Sequence, residues 1–151
     1  MQSYSGAGTP AQDAQLYDRV ARNAENACSA LEQLLPLTPD AAMKAEMTAQ
    51  QKKYRHFQNE AQRALQNMGQ QQSEPGIMSR LCMDAGIQLK ARTDPSNRNL
   101  AQMLAEGCAQ GVTGCVMARR DNPAAGESAQ KLARELEQFE ESAADRWREF
   151  L

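Results

Sequence analysis

The stretch LARELEQFEESAADRWREF, residues 132–150, decides the fold. Its apolar residues Leu132, Leu136, Phe139, Ala143, Trp147 and Phe150 recur about once per helical turn, which places them on one face of an α-helix. Glu135, Glu137, Glu140 and Glu141, interleaved with Lys131, Arg134, Arg146 and Arg148, read as a solvated face of mixed charge.

The same spacing recurs upstream. Tyr17, Val20, Ala24, Cys28, Leu31 and Leu34 form one stripe. Met43, Met47, Tyr54, Phe57, Ala61, Leu65 and Met68 form a second, with a gap at Gln50 and Gln51. Shorter stripes follow in Met78, Leu81, Cys82, Ala85 and Leu89, then in Leu100, Leu104, Cys108, Gly111 and Cys115. Nothing alternates in the manner of a strand.

Proline marks the boundaries. Thr9-Pro10, Thr38-Pro39, Ser73-Glu74-Pro75, Asp94-Pro95 and Asn122-Pro123 each set a capping residue just before a proline, the pattern of a helix start. Gln12, three residues after Thr9, extends the first of these into a capping box. Pro36 disfavours helical geometry at Leu35 and closes the first helix. The prediction is an all-α protein: a single antiparallel bundle of about five helices over residues 10–151, preceded by a flexible segment over residues 1–9.

Composition agrees. Hydrophobic residues make up 41% of the 151 but aromatic ones only 5%, so Ala, Leu and Met, which favour helices, must build the core. The 17 basic and 19 acidic residues leave a net charge of −2, with no field to attract nucleic acid or an anionic membrane. No apolar run has the length of a membrane span, and none of the marks of a signal peptide is present at the start. Neither nucleic-acid binding nor membrane insertion is expected.

The four cysteines raise the question of compartment. If the helices flanking Thr93-Asp94-Pro95 form a hairpin, Cys82 and Cys108 stand at nearly equal distances from the turn and face one another. Cys108 and Cys115 lie two turns apart on one helix, roughly 10 Å, beyond disulfide reach unless Gly111 and Gly114 break that helix. The expected bonds are therefore Cys82–Cys108 and, by elimination, Cys28–Cys115. A staple over the shorter loop would stabilise by about 3.5 kcal/mol. Disulfides belong to oxidising compartments, which points to a periplasmic or secreted location, with a signal-free mature start.

Catalytic patterns are missing from the sequence. It has no CxxC, no HExxH, no Glu-x-x-His pair for a metal site, no P-loop, no dinucleotide fingerprint and no nucleophile elbow. The lone histidine, His56, flanks the second stripe and reads as a solvent-edge residue. The glycines Gly107, Gly111 and Gly114 read as positions of close helix approach. No cofactor, metal or enzymatic activity is expected.

What is left is binding. The first expectation is a non-enzymatic protein-binding module of the bacterial cell envelope that acts by occupying a partner protein. Immunity proteins, inhibitors of secreted toxins or wall-degrading enzymes, and secretion accessories act in this way. Its contact residues would sit in exposed segments: Gln70, Gln71 and Glu74 in the linker, Val112 and Thr113 in a turn, and Arg119 and Arg120 at a helix junction. The alternative is a cytoplasmic adaptor or chaperone-like bundle with reduced cysteines, a homodimer through the long second and fifth helices, whose stripes would extend to an exposed apolar face such as Phe139, Trp147 and Phe150. A second alternative is a Cys/Met protein for a soft metal such as Cu(I).

Overall fold

A computed structural model describes residues 8–74 and 77–151, with backbone alone over 77–82. Among these residues the structure is all-helical. It comprises α1 (Pro10–Leu34), α2 (Ala41–Asn67), α3 (Ile77–Thr93), α4 (Asn97–Asp121) and α5 (Glu127–Arg148), with a 3-10 turn at Leu35–Leu37.

The caps follow the prolines less simply than the sequence implies. Thr9 caps α1, its hydroxyl accepting from Gln12 N at 3.4 Å, and α1 ends at Leu34 just before the Pro36 turn. At the starts of α2 and α4 the cap comes after the proline: Asp40 accepts from Met43 N at 2.8 Å and Ser96 from Asn99 N at 3.2 Å. The residues before the prolines close the preceding helices instead. Thr38 Oγ1 donates to Leu34 O at 2.8 Å, and Asn122 Nδ2 donates to Ala118 O at 2.8 Å. A residue held out of the helical region by a following proline is well placed for that role. Consequently Pro123 lies in a turn and α5 starts only at Glu127, capped by Gly126. Pro75 lies outside the described residues.

α1 and α2 form one antiparallel hairpin and α4 and α5 another; the two pack together as a four-helix bundle, while α3 lies outside it, chiefly against α1. That arrangement corrects the expected α3–α4 hairpin. α3 docks through the face bearing Asp84, Ile87, Gln88 and Ala91, with Asp84 Oδ1 accepting from Gln33 Nε2 at 2.9 Å. The predicted stripe is turned outward where its side chains are described: Ala85 is exposed and Leu89 is 70% exposed.

The first turn of α1 clamps the α4–α5 connection. Thr9 N donates to Ala124 O at 2.9 Å, Ala124 N to Gln12 Oε1 at 2.7 Å, and Gly126 N to Asp13 Oδ1 at 2.6 Å. Gln12 thus serves the turn rather than closing a capping box. Gly8 belongs to the same contact, since a Cβ there would fall 2.1 Å from Gly126 N. Residues 8 and 9 are fixed; the rest of the expected flexible segment lies outside the described residues.

The core follows the stripes of α1, α2, α4 and α5, with Trp147 and Tyr54 its largest buried side chains. Tyr54 meets Phe139 edge-on at 5.0 Å between centroids. No described helix is long and apolar enough to cross a membrane.

Candidate functional site

Small residues leave a hole where α1, α3 and α4 meet. Ala27 and Ala30 on α1, Gly86 on α3, and Gly107, Gly111, Gly114 and Ala118 on α4 line a cavity of about 650 Å³. Val20, Leu31, Leu34, Ile87, Met103 and Leu104 complete its largely apolar wall, and Arg19, Arg22, Lys90 and Glu106 also border it. Both its size and its lining are those of small-molecule sites.

Its floor is polar and includes a carboxyl group. Glu140 is only 1% exposed. Tyr54 donates to Glu140 Oε2 at 3.4 Å and Cys115 Sγ to Oε1 at 3.7 Å, while the Tyr54 hydroxyl lies 3.7 Å from Cys108 Sγ. Asn23 Nδ2 donates to Gly111 O at 3.0 Å and to Cys115 Sγ at 3.4 Å, beside the carboxyl group. Glu140 makes no ion pair among the described residues. Burial therefore dominates and pushes its pKa up to about 8, against the smaller lowering effect of Cys115, Asn23 and Tyr54.

Gly111 makes this placement sterically feasible. A Cβ at Gly111 would lie 1.8 Å from Glu140 Oε2, so the carboxyl occupies the space a side chain would take. α4 runs unbroken through Gly111 and Gly114, as close approach between helices requires and contrary to a turn there.

Two further polar atoms, on residues that border the cavity, are buried without partners. Gln50 Oε1 and Trp147 Nε1 are buried with no hydrogen bond. Gln50 fills the gap in the second stripe, 3% exposed, with its amide donating to Glu46. Trp147 neighbours Cys108, with which it makes no hydrogen bond of normal geometry. Burial raises the Cys28 and Cys108 thiols to about 11 and lifts Cys115 and Tyr54 further, so these groups stay protonated at neutral pH.

The cysteine pairing expected from the sequence is not formed. Cys28, Cys108 and Cys115 are free, buried thiols; the Cys82 side chain lies outside the described residues. Cys28 Sγ donates to Gln51 O at 3.6 Å, toward α2, while Cys115 faces Asn23 and Glu140. Asn23 and Cys28 are five residues apart on α1, roughly 7 Å along its axis, which separates Cys28 from Cys115. Cys108 packs on Tyr54, away from the outward face of α3.

The expected contact residues do not converge. Gln70, Gln71 and Glu74 are exposed in a linker that docks on α1, where Ser73 N donates to Asp18 Oδ1 at 2.6 Å. Val112 and Thr113 lie within α4 rather than in a turn, half-buried and exposed respectively. Arg119 is half-buried and paired with Glu137 at 2.7 Å, leaving Arg120 exposed. The face proposed for dimerisation is absorbed by the core: Trp147 is fully buried, and Phe139 and Phe150 are half-buried. His56 is exposed, stacked edge-on beside Phe57.

Sequence reasoning missed Glu140 by assigning it to the solvated face. The signal was there: Leu136, Glu140, Ala143 and Trp147 follow one another at helical spacing, and all four are buried.

The fold defines the class to which the chain can be compared: a four-helix bundle carrying a fifth helix on one groove. Within that class it is similar to the crystal structure of a DUF305 fragment from Deinococcus radiodurans. The TM-score is 0.71 at 17% identity, over 94% of this chain and 95% of that one. That likeness concerns the fold alone. Comparison with protein-family models and with curated proteins finds no match.

Proposed function

We propose that the protein is a non-enzymatic binding protein whose binding element is the cavity between α1, α3 and α4. The observation that carries this reading is the cavity itself, about 650 Å³ with a largely apolar wall and a buried carboxyl group in its floor. Held as neutral thiols, Cys108 and Cys115 are poor nucleophiles, which favours binding over covalent chemistry.

A protein partner is the second reading, favoured by Met117, 53% exposed and set at helical spacing between exposed Thr113 and Arg120 on α4. Placement in the cell envelope rests on disulfides, and the free thiols Cys28, Cys108 and Cys115 leave it without that support.

The test is saturable binding of the neutral dye Nile red, read by its emission, to the wild-type chain and to Gly107→Leu. Gly107 lines the cavity and has open space at its Cβ, so leucine there fills the hole without disturbing the bundle. One site per chain in the wild type, lost in the variant with the thermal melt preserved, is the expected result. No saturable binding, or equal binding by both proteins, would contradict the reading.

A further inference from the structure

We infer that the cavity takes a small organic cation: an elongated, mostly apolar molecule whose protonated primary amine sits against Glu140. The inference rests on the cavity being the binding element.

Glu140 is a carboxyl group removed from water with nothing of opposite charge beside it. The groups bonded to it are Tyr54 from α2 and Cys115 from α4, with Asn23 of α1 beside them; none is a cation, and the bonds, at 3.4 and 3.7 Å, are long. A buried acid of this kind is stabilised in its ionised form by a cation brought into the same dry space.

The rest of the floor shapes the other end of the ligand. Trp147 is seven residues beyond Glu140 on α5, roughly 10 Å along the axis. Gln50 is tied to that end as well, because Glu46, which accepts from Gln50 Nε2, also accepts from Arg146 Nη1 at 3.1 Å. Gln50 and Trp147 both border the cavity, and that end is the place for a polar group such as a hydroxyl.

A metal ion fits less well. Cys108 and Cys115 are two turns apart on α4, roughly 10 Å, too far to meet on one ion, and the described residues hold no cluster of three metal-ligating side chains. An ammonium group needs only acceptors, and Glu140 offers two.

Binding would proceed with release of the Glu140 proton to solvent, leaving carboxylate against ammonium. The titratable groups bonded to Glu140 are Tyr54 on α2 and Cys115 on α4, with Cys108 next to Tyr54. α1 presents Asn23, and the charged groups bordering the same cavity are Arg19, paired with Asp121, and Arg22 on α1, Lys90 on α3 and Glu106 on α4. Because the thiols and the phenol stay protonated, the affinity for an amine should follow the ionisation of Glu140.

The experiment compares aminohexanol with hexanediol, which differ only in ammonium for hydroxyl, using the fluorescence of Trp147, the single tryptophan, as the readout. In the wild type at pH 8.5, aminohexanol should bind at least about tenfold more tightly. The preference should disappear in Glu140→Gln, and also in the wild type near pH 5, where the amine is still charged but Glu140 is not. Equal affinities in the wild type at pH 8.5, or a preference that survives either change, would overturn the inference. If neither compound binds while Nile red does, this inference fails and the cavity reading stands; if none binds, both fail.

Discussion

Glu140 and Gly111 are one structural unit at the scale of single residues, since the carboxyl occupies the volume that any side chain at 111 would need. Alanine at Gly111 must displace it. Gly111→Ala is expected to destabilise by roughly 1–3 kcal/mol in urea denaturation. Gly107→Ala, exposed with open space at its Cβ, should stabilise by up to about 1 kcal/mol. The Gly111→Ala penalty should shrink in a Glu140→Ala background, a coupling that a double-mutant cycle measures directly.

The raised pKa of Glu140 also has a sign. In the unfolded chain the carboxyl ionises near its ordinary 4.5, while in the fold it holds its proton to about 8. Its contribution to stability is therefore full below about pH 4.5 and is lost as pH rises toward 8. Glu140→Gln keeps the shape and removes the titration. The variant should gain stability relative to the wild type between pH 5 and pH 8, by an amount on the order of a few kcal/mol. Urea midpoints at both pH values check this; a difference that does not change with pH would contradict it.

Among the elements, the helices are held by capping and docking contacts of unequal legibility. Thr9 serves both as cap of α1 and as a backbone anchor on Ala124, and Thr9→Ala should lower stability by about 1 kcal/mol through the cap alone, read by thermal melting. Helix content, the number of helices and the core faces of α1, α2, α4 and α5 could all be read from spacing, because a bundle core is an apolar stripe repeated. α3 could not. Its apolar residues are too few and too mixed with small ones to fix a phase, and its polar contacts, Gln33 with Asp84 and Gln88, decide which face docks.

The misplaced hairpin also misled the cysteine pairing, since two residues on adjacent helices at equal height bond only if those helices face each other. The three described thiols are free and buried. Iodoacetamide should leave Cys28, Cys108 and Cys115 unmodified in the native protein and label all three in urea without reductant, as peptide mapping would show. Protection that persists in urea would mean that they are bonded.

At the scale of the whole molecule, the bundle supplies rigidity and the small residues along α4 and α1 supply the hole. The cavity itself was not legible in the sequence. Its glycines pointed to close helix packing, yet what they admit is partly a carboxyl from α5 and partly empty space under α3, and only the relative placement of three helices creates that space. On the binding reading, a cavity ligand at about one hundred times its dissociation constant should stabilise the fold by about 2.7 kcal/mol, visible as a rise in melting temperature that Gly107→Leu abolishes.

The central claim is that an uncompensated carboxyl is buried in this bundle, in the floor of the cavity between α1, α3 and α4. The most direct measurement is the titration of the Glu140 side-chain carbon by NMR in the folded protein, assigned by loss of the signal in Glu140→Gln. The account predicts a midpoint near 8. A midpoint in the ordinary range of glutamate, near 4.3, would mean that Glu140 is solvated or paired with a cation, and would contradict it.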